Sequence, residues 1–263
     1  MSDNVVRSTS GLERFLSLLG PHHRELQRRL GVTIVVIILA TIVAYLFIEP
    51  ITELCVRPLF KASPHIHSLV YTNLPEAFIT YLKLALLVGL AASYPFVLYQ
   101  FWAFISPGLH RHEKYLALTV VLVGSLLFAA GAAFAFFVAL PRLLMYLLNY
   151  ASDSLQPMLK FAAYLTFSAR TVIAFGLAFQ IPFLQVMANR SGLIEAGYFR
   201  RHRPWFWLAL TVLAFLLATG DLMATLLLAL PLVLLYETGI FLCRLWPRRA
   251  GTASGSDAKA EGQ

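Results

Sequence analysis

The chain has 263 residues, 59% hydrophobic and 13% aromatic, and only 13% are charged, about half the charged share of an ordinary soluble domain. That composition excludes a soluble globule, and it excludes a disordered chain, which is poor in these apolar residues. The net charge of +8 sits in segments flanking apolar runs, with no basic helix or recognition motif set apart, so nucleic acid is not the expected partner.

In chain order, residues 1–29 form a basic N-terminal segment. Leu12, Phe15, Leu16 and Leu19 recur at helical spacing beside Glu13 and Arg14, which predicts a short amphipathic helix on the membrane surface. Pro21 suits the first turn of the helix that follows. No secretory signal peptide is expected, because the first long apolar run begins only at Leu30, behind arginines, as in an uncleaved anchor.

Six spans are expected, at about 30–48, 77–103, 115–140, 162–188, 204–219 and 222–243. The first four each suffice to cross about 30 Å of hydrocarbon. The last two, hinged at Gly220-Asp221, are short, so lipid thins there or polar residues are drawn in. Alternatively Trp205, Trp207 and the neighbouring arginines merely anchor that end.

Between the spans, the connection from Glu49 to Glu76 contains Pro50, Pro58, Pro64 and Pro75, which predict a folded external cap. A shorter connection runs from Pro141 to Lys160, and a compact Pro-Gly turn covers Phe104 to Glu113. Pro95, Pro182 and Pro231 predict bent helices. The run Ala129-Ala130-Gly131-Ala132-Ala133 predicts a close helix approach. Residues 244–263 are expected to be a largely disordered tail.

Fifteen Arg and Lys residues fall in the N-terminal segment, the second and fourth connections and the tail, against Arg57, Lys61, Arg142 and Lys160 in the other connections. The positive-inside rule then places both termini in the cytoplasm. Cys55 and Cys243 fall at opposite sides of the membrane on this topology, so no disulfide between them is expected.

No catalytic motif is present. The chain has no phosphate-binding GxxxxGK[ST] loop, no HExxH helix and no G-x-S-x-G elbow. His110 and His112 beside Glu113 lack the spacing of a zinc site. Neither metal nor cofactor is expected, nor is an enzyme.

What remains is acids in basic surroundings and polar groups in apolar helices. Glu25 lies among Arg24, Arg28 and Arg29, and Glu113 beside Arg111 and Lys114. Such carboxylates could bind a cation from outside. The alternatives are an i,i+4 pair of Glu25 with Arg29, worth about 0.3–0.5 kcal/mol, and a favourable helix-start charge for Glu113. Lys83, Arg170, Gln180, Glu237 and the hinge residue Asp221 are the intramembrane candidates. Lys83 and Arg170 are near enough to helix ends to snorkel, whereas Gln180 should face protein.

These pieces resemble one family. His22-His23-Arg24-Glu25-Leu26-Gln27-Arg28-Arg29-Leu30 and Tyr99-Gln100-Phe101-Trp102-Ala103-Phe104-Ile105-Ser106-Pro107-Gly108-Leu109, running on to His112-Glu113, are similar to segments of the TatC family, the multispanning core of the twin-arginine protein translocase. So are Phe175-Gly176 through Phe179-Gln180-Ile181-Pro182, Arg203-Pro204, the hinge at Asp221 and Tyr236-Glu237-Thr238-Gly239. The resemblance covers about Leu18 to Trp246.

It implies an all-α integral membrane protein of six spans with both termini inside, short last helices and a concave, cupped bundle. It implies a receptor in the bacterial cytoplasmic membrane that binds twin-arginine signal peptides of folded cargo. Small single-span subunits of TatA/TatB type are the implied partners in an oligomeric complex within membrane lipid, driven by the proton-motive force.

By the same resemblance, Glu25, Glu113, Arg29, Phe104 and Pro107 form the signal-peptide site. Gln180, Asp221, Glu237 and Lys83 contact partners within the membrane, and Pro58 belongs to the cap. Gln27 stands where arginine is common, and Gln180 where glutamate is frequent. An ion-coupled small-molecule permease and a purely structural scaffold are the rival classes. The first wants repeated halves, which the sequence lacks, and the second needs neither Glu25 nor Glu113.

Overall fold

The computed structural model describes residues 3–62, 69–71, 73–105, 114–149, 158–190, 194, 196–218 and 221–245, with side chains from Glu25 onward except at 74, 105, 114–117 and 196. The turn at 106–113, with Pro107 and Glu113, and the tail from 246 lie outside the described residues, as do the side chains of the expected amphipathic stretch.

Every named element among the described residues is helical: α1 (Asp3–Leu46), α2 (Ile48–Ala62), α3 (Leu74–Ile105), α4 (Lys114–Phe134), a π-helical turn (Ala135–Ala139), α5 (Leu140–Leu148), α6 (Phe161–Ala178), α7 (Gln180–Arg190), α8 (Ala196–Arg201), α9 (Arg203–Leu217) and α10 (Leu222–Leu245). Among the described residues, five helices are long and apolar enough to cross a membrane: Glu25–Leu46, Pro75–Phe104, Leu118–Leu148, Phe161–Arg190 and Leu222–Leu245. The shorter α9 is apolar but has only 15 residues.

Three prolines mark local outcomes. The backbone of α1 is helical through Pro21, where the sequence predicted a start, because strong helix formers such as Leu, Glu and Arg flank it on both sides. Pro141 has no N–H to return to the carbonyls of the preceding turn. There the ladder widens, Leu140 N–H bonding to the Ala135 carbonyl, and the helix runs on through α5 to Leu148 instead of ending near residue 140. Pro182 similarly lacks a donor for the carbonyl four residues back, and α6 stops there, at Ala178.

The chain divides into two compact units, Met1–Gly176 and Leu177–Gln263. In the first, α1 lies along α3, where Gly89 lets the Thr41 backbone come close: a β-carbon at Gly89 would sit 2.6 Å from Thr41 N. Tyr94 of α3 stacks on Phe128 of α4 at 4.1 Å. Val56 and Leu59 of α2 bury against Leu84, Leu144, Tyr164 and Leu165, and the Tyr164 hydroxyl donates to the Cys55 carbonyl at 2.8 Å. Val70 and Lys160 form an isolated bridge, with Val70 N–H on the Leu159 carbonyl at 3.0 Å and Phe161 N–H on the Val70 carbonyl at 2.9 Å. The connection after α1 and the one before α6 are thus joined through their backbones. Burial pushes the Cys55 thiol up to about 11, so it stays protonated at neutral pH.

The predicted small-residue contact takes a different form. Gly131 is buried, but Ala129, Ala130 and Ala133 are exposed, and Ala132 and Ala133 line an apolar cavity of about 360 Å³.

In the second unit α7, α8 and α9 all pack on α10. The buried face of α10 follows helical spacing through Thr225, Leu228, Leu232, Tyr236, Gly239 and Cys243.

Candidate functional site

Helix α1 carries Glu25 and Arg29 one turn apart, so their side chains meet on one face. Arg29 Nη2 donates to Glu25 Oε1 at 2.7 Å and Nε to the same oxygen at 3.1 Å. The pair expected as an alternative is therefore formed, with side-chain exposures of 26% for Arg29 and 40% for Glu25. It does not saturate the carboxylate: among the described residues Oε2 has no hydrogen-bond partner. Arg29 Nη1 also donates to Gln100 Oε1 on α3 at 3.3 Å. Sequence reasoning passed over Gln100 as a neighbour of this pair, although it lies inside the Tyr99-to-Leu109 motif.

Phe104 follows Gln100 by one turn and is part-buried. Two residues past Gln100, the buried Trp102 Nε1 has no hydrogen-bond partner among the described residues. Pro107 and Glu113 lie outside the described residues.

The other candidates separate. Pro58 is buried inside α2. Lys83 is exposed on α3 and lines an open cavity of about 520 Å³ with Asn73, Glu76, Thr80 and Ala162. Asn73 and Glu76 cap the start of that helix, the Asn73 N–H reaching Glu76 Oε2 at 3.4 Å and the Glu76 N–H the Asn73 carbonyl at 3.0 Å.

In the second unit, Gln180 is buried at the first position of α7, 5% exposed. Asp221 caps α10: its Oδ1 accepts the Ala224 N–H at 2.6 Å, a contact worth about 1 kcal/mol. Glu237 is held by Arg203 Nη2 at 2.6 Å and Trp207 Nε1 at 3.3 Å, so its oxygens are engaged inside the unit.

Gln185 and Asn189, which sequence reasoning did not single out, are buried on α7 beside Pro182. Asn189 Nδ2 reaches the Cys243 carbonyl at 3.5 Å. Neither amide atom of Gln185 has a partner among the described residues. Their helical spacing was the available signal, masked because an uncharged amide interrupts no charge pattern.

A model of the Sec-independent protein translocase protein TatC matches residues 21–231. The chain belongs to the TatC family. It is 34% identical to the TatC of Escherichia coli K12 over 225 residues, 86% of this chain and 87% of the relative. It is also 34% identical to that of Aquifex aeolicus over 233 residues, 88% and 96% of the two chains. With the protein from Desulforapulum autotrophicum it shares 32% over 228 residues, 87% and 84%. A crystal structure of a twin-arginine translocase receptor, TatC, superposes with a TM-score of 0.78 at 34% identity, covering 85% of this chain and 98% of that one. TatC membership makes the chain a component of a protein translocase, with multi-pass membrane character from its apolar helices.

Proposed function

We propose that this chain is the receptor for twin-arginine signal peptides and the membrane core of a translocase that exports folded proteins across the bacterial cytoplasmic membrane. Helix α9 is the short fifth of six spans, both termini are cytoplasmic, and the bundle is cupped. Gln180, Asp221, Glu237 and Lys83 serve assembly with small single-span TatA/TatB-type subunits, Pro58 stiffens the outer cap, and the proton-motive force supplies the energy.

The observation that carries this reading is the half-spent carboxylate of Glu25. Arg29 occupies Oε1 and is itself steadied by Gln100 of α3, so the side chain is oriented before any ligand arrives. Oε2 remains for a visiting guanidinium, a planar fork that carboxylates bind through short charge-assisted hydrogen bonds and that lysine does not reproduce. Glu113, in the connection between α3 and α4, is the second carboxylate for the second arginine, with Phe104 and Pro107 shaping the floor.

Photocrosslinking from positions beside Glu25 and Glu113 tests this directly. A signal peptide with Arg-Arg should label strongly and a Lys-Lys version weakly; equal labelling defeats the site. Glu25→Ala and Glu113→Ala should each lower export of a folded, twin-arginine-tagged reporter by about tenfold or more, the scale of one charge-assisted contact.

A further inference from the structure

We propose that the groove between α3 and α6 holds one membrane phospholipid, with its phosphate on Lys83 and an acyl chain in the apolar cavity beyond. The inference needs only the membrane-spanning character of these helices, is independent of the signal-peptide site, and replaces a direct subunit contact of Lys83 with one made through lipid.

Two cavities follow one another along the same pair of helices. The first, about 520 Å³, is walled by Pro75, Glu76, Ile79, Thr80 and Lys83 of α3, by Asn73 just before it and by Ala162 of α6. The second, about 360 Å³, begins at the next residue of α3: Leu84, Leu87 and Ala91 face Ala169 and Val172 of α6, α2, α4 and the π-helical turn supply the other walls, and almost every wall atom is apolar. The polar side chains thus lie mainly in the first cavity, up to Lys83, and the walls from Leu84 on are almost wholly apolar. A phospholipid has that same sequence of chemistry along its length, head then chain.

Charge selects the head. Lys83 is exposed and stands nine residues past the start of α3, about 14 Å along the helix axis. Among the described residues it forms no ion pair. A cation at that depth is costly unless its ammonium meets an anion or reaches water. Thr80 is neutral, its hydroxyl donating to the Glu76 carbonyl at 2.6 Å, and the Glu76 carboxylate of the same cavity forms no ion pair with Lys83. A lipid phosphodiester supplies the anion at the interface. Arg170, nine residues into α6 and also exposed, is a second cation in the same leaflet.

The test is native mass spectrometry of the whole purified protein, delipidated and titrated with a phosphatidylethanolamine or with the diacylglycerol of identical chains. The wild type should retain one phospholipid per chain and little diacylglycerol. Lys83→Gln should lower phospholipid occupancy by about fivefold, the scale of one partly exposed ion pair, and Lys83→Arg should restore it. Ala91→Phe, which fills the apolar cavity, should lower occupancy with Lys83 intact, while Arg57→Gln on α2 should leave it unchanged.

Equal retention of phospholipid and diacylglycerol overturns the proposal without any variant. So does unaltered occupancy in Lys83→Gln, displacement of the lipid by millimolar inorganic phosphate alone, or recovery of a protein segment in place of lipid.

Discussion

Glu237 illustrates how an acid in an apolar helix is accommodated by its own chain. Oε2 takes Arg203 Nη2 and Oε1 takes Trp207 Nε1, with both members of the ion pair about a third exposed. The Nε of Arg203 is buried without a partner among the described residues, so this guanidinium already depends on one contact. Glu237→Gln keeps the shape and removes the charge, and is expected to destabilise the protein by about 1–3 kcal/mol, read as a lower melting temperature in detergent. The double change Arg203→Leu with Glu237→Leu should recover most of that loss; no recovery would show that the pair does not act as a unit. The pairing of Glu237 was not legible in the sequence, because its partner is 34 positions away on another helix and no periodicity links them. Glu25 and Arg29 were visible as a pair because spacing within one helix dictates contact. Gln100 was not, since its link to Arg29 crosses 71 positions.

At the scale of helices, close packing in the second unit depends on one glycine and one amide. A β-carbon on Gly239 would fall on Gln185 Oε1, so α10 carries no side chain there and the Gln185 amide presses on its backbone. Gly239→Ala should therefore cost about 1–3 kcal/mol through overpacking. Gln185→Ala should cost less, because it also removes a buried amide lacking a partner. The double variant should be more stable than the sum of the two losses, and strict additivity in thermal unfolding would refute the contact. Helix existence and approximate limits were legible, because apolar length and flanking charge are composed locally. Which small residue admits a neighbour was not. The Ala129-to-Ala133 run had the right composition, but tight approaches also fall at single glycines, Gly89, Gly176 and Gly239, chosen by what stands opposite them. The helical cap after α1 was half legible: its prolines announced structure, and one of them, Pro58, is buried within α2.

Across the whole molecule, the Arg and Lys asymmetry and the inclusion of α9 as a span make a shared prediction. Reporters fused at the two termini should report the same compartment, and a reporter fused after Ala218 the opposite one; termini in different compartments would mean that α9 does not cross. The family match over residues 21–231 leaves that geometry to experiment. A second long-range consequence comes from the widened turn between Ala135 and Ala139, which carries one residue more than an α-helical turn. Each residue advances a helix by roughly 100°, so a helical wheel drawn unbroken from Lys114 misplaces all of α5, including Leu143 and Leu144, which are buried. Removing a single residue from that turn would barely shorten the rod, but it would unscrew its far end and swing those two leucines off α2.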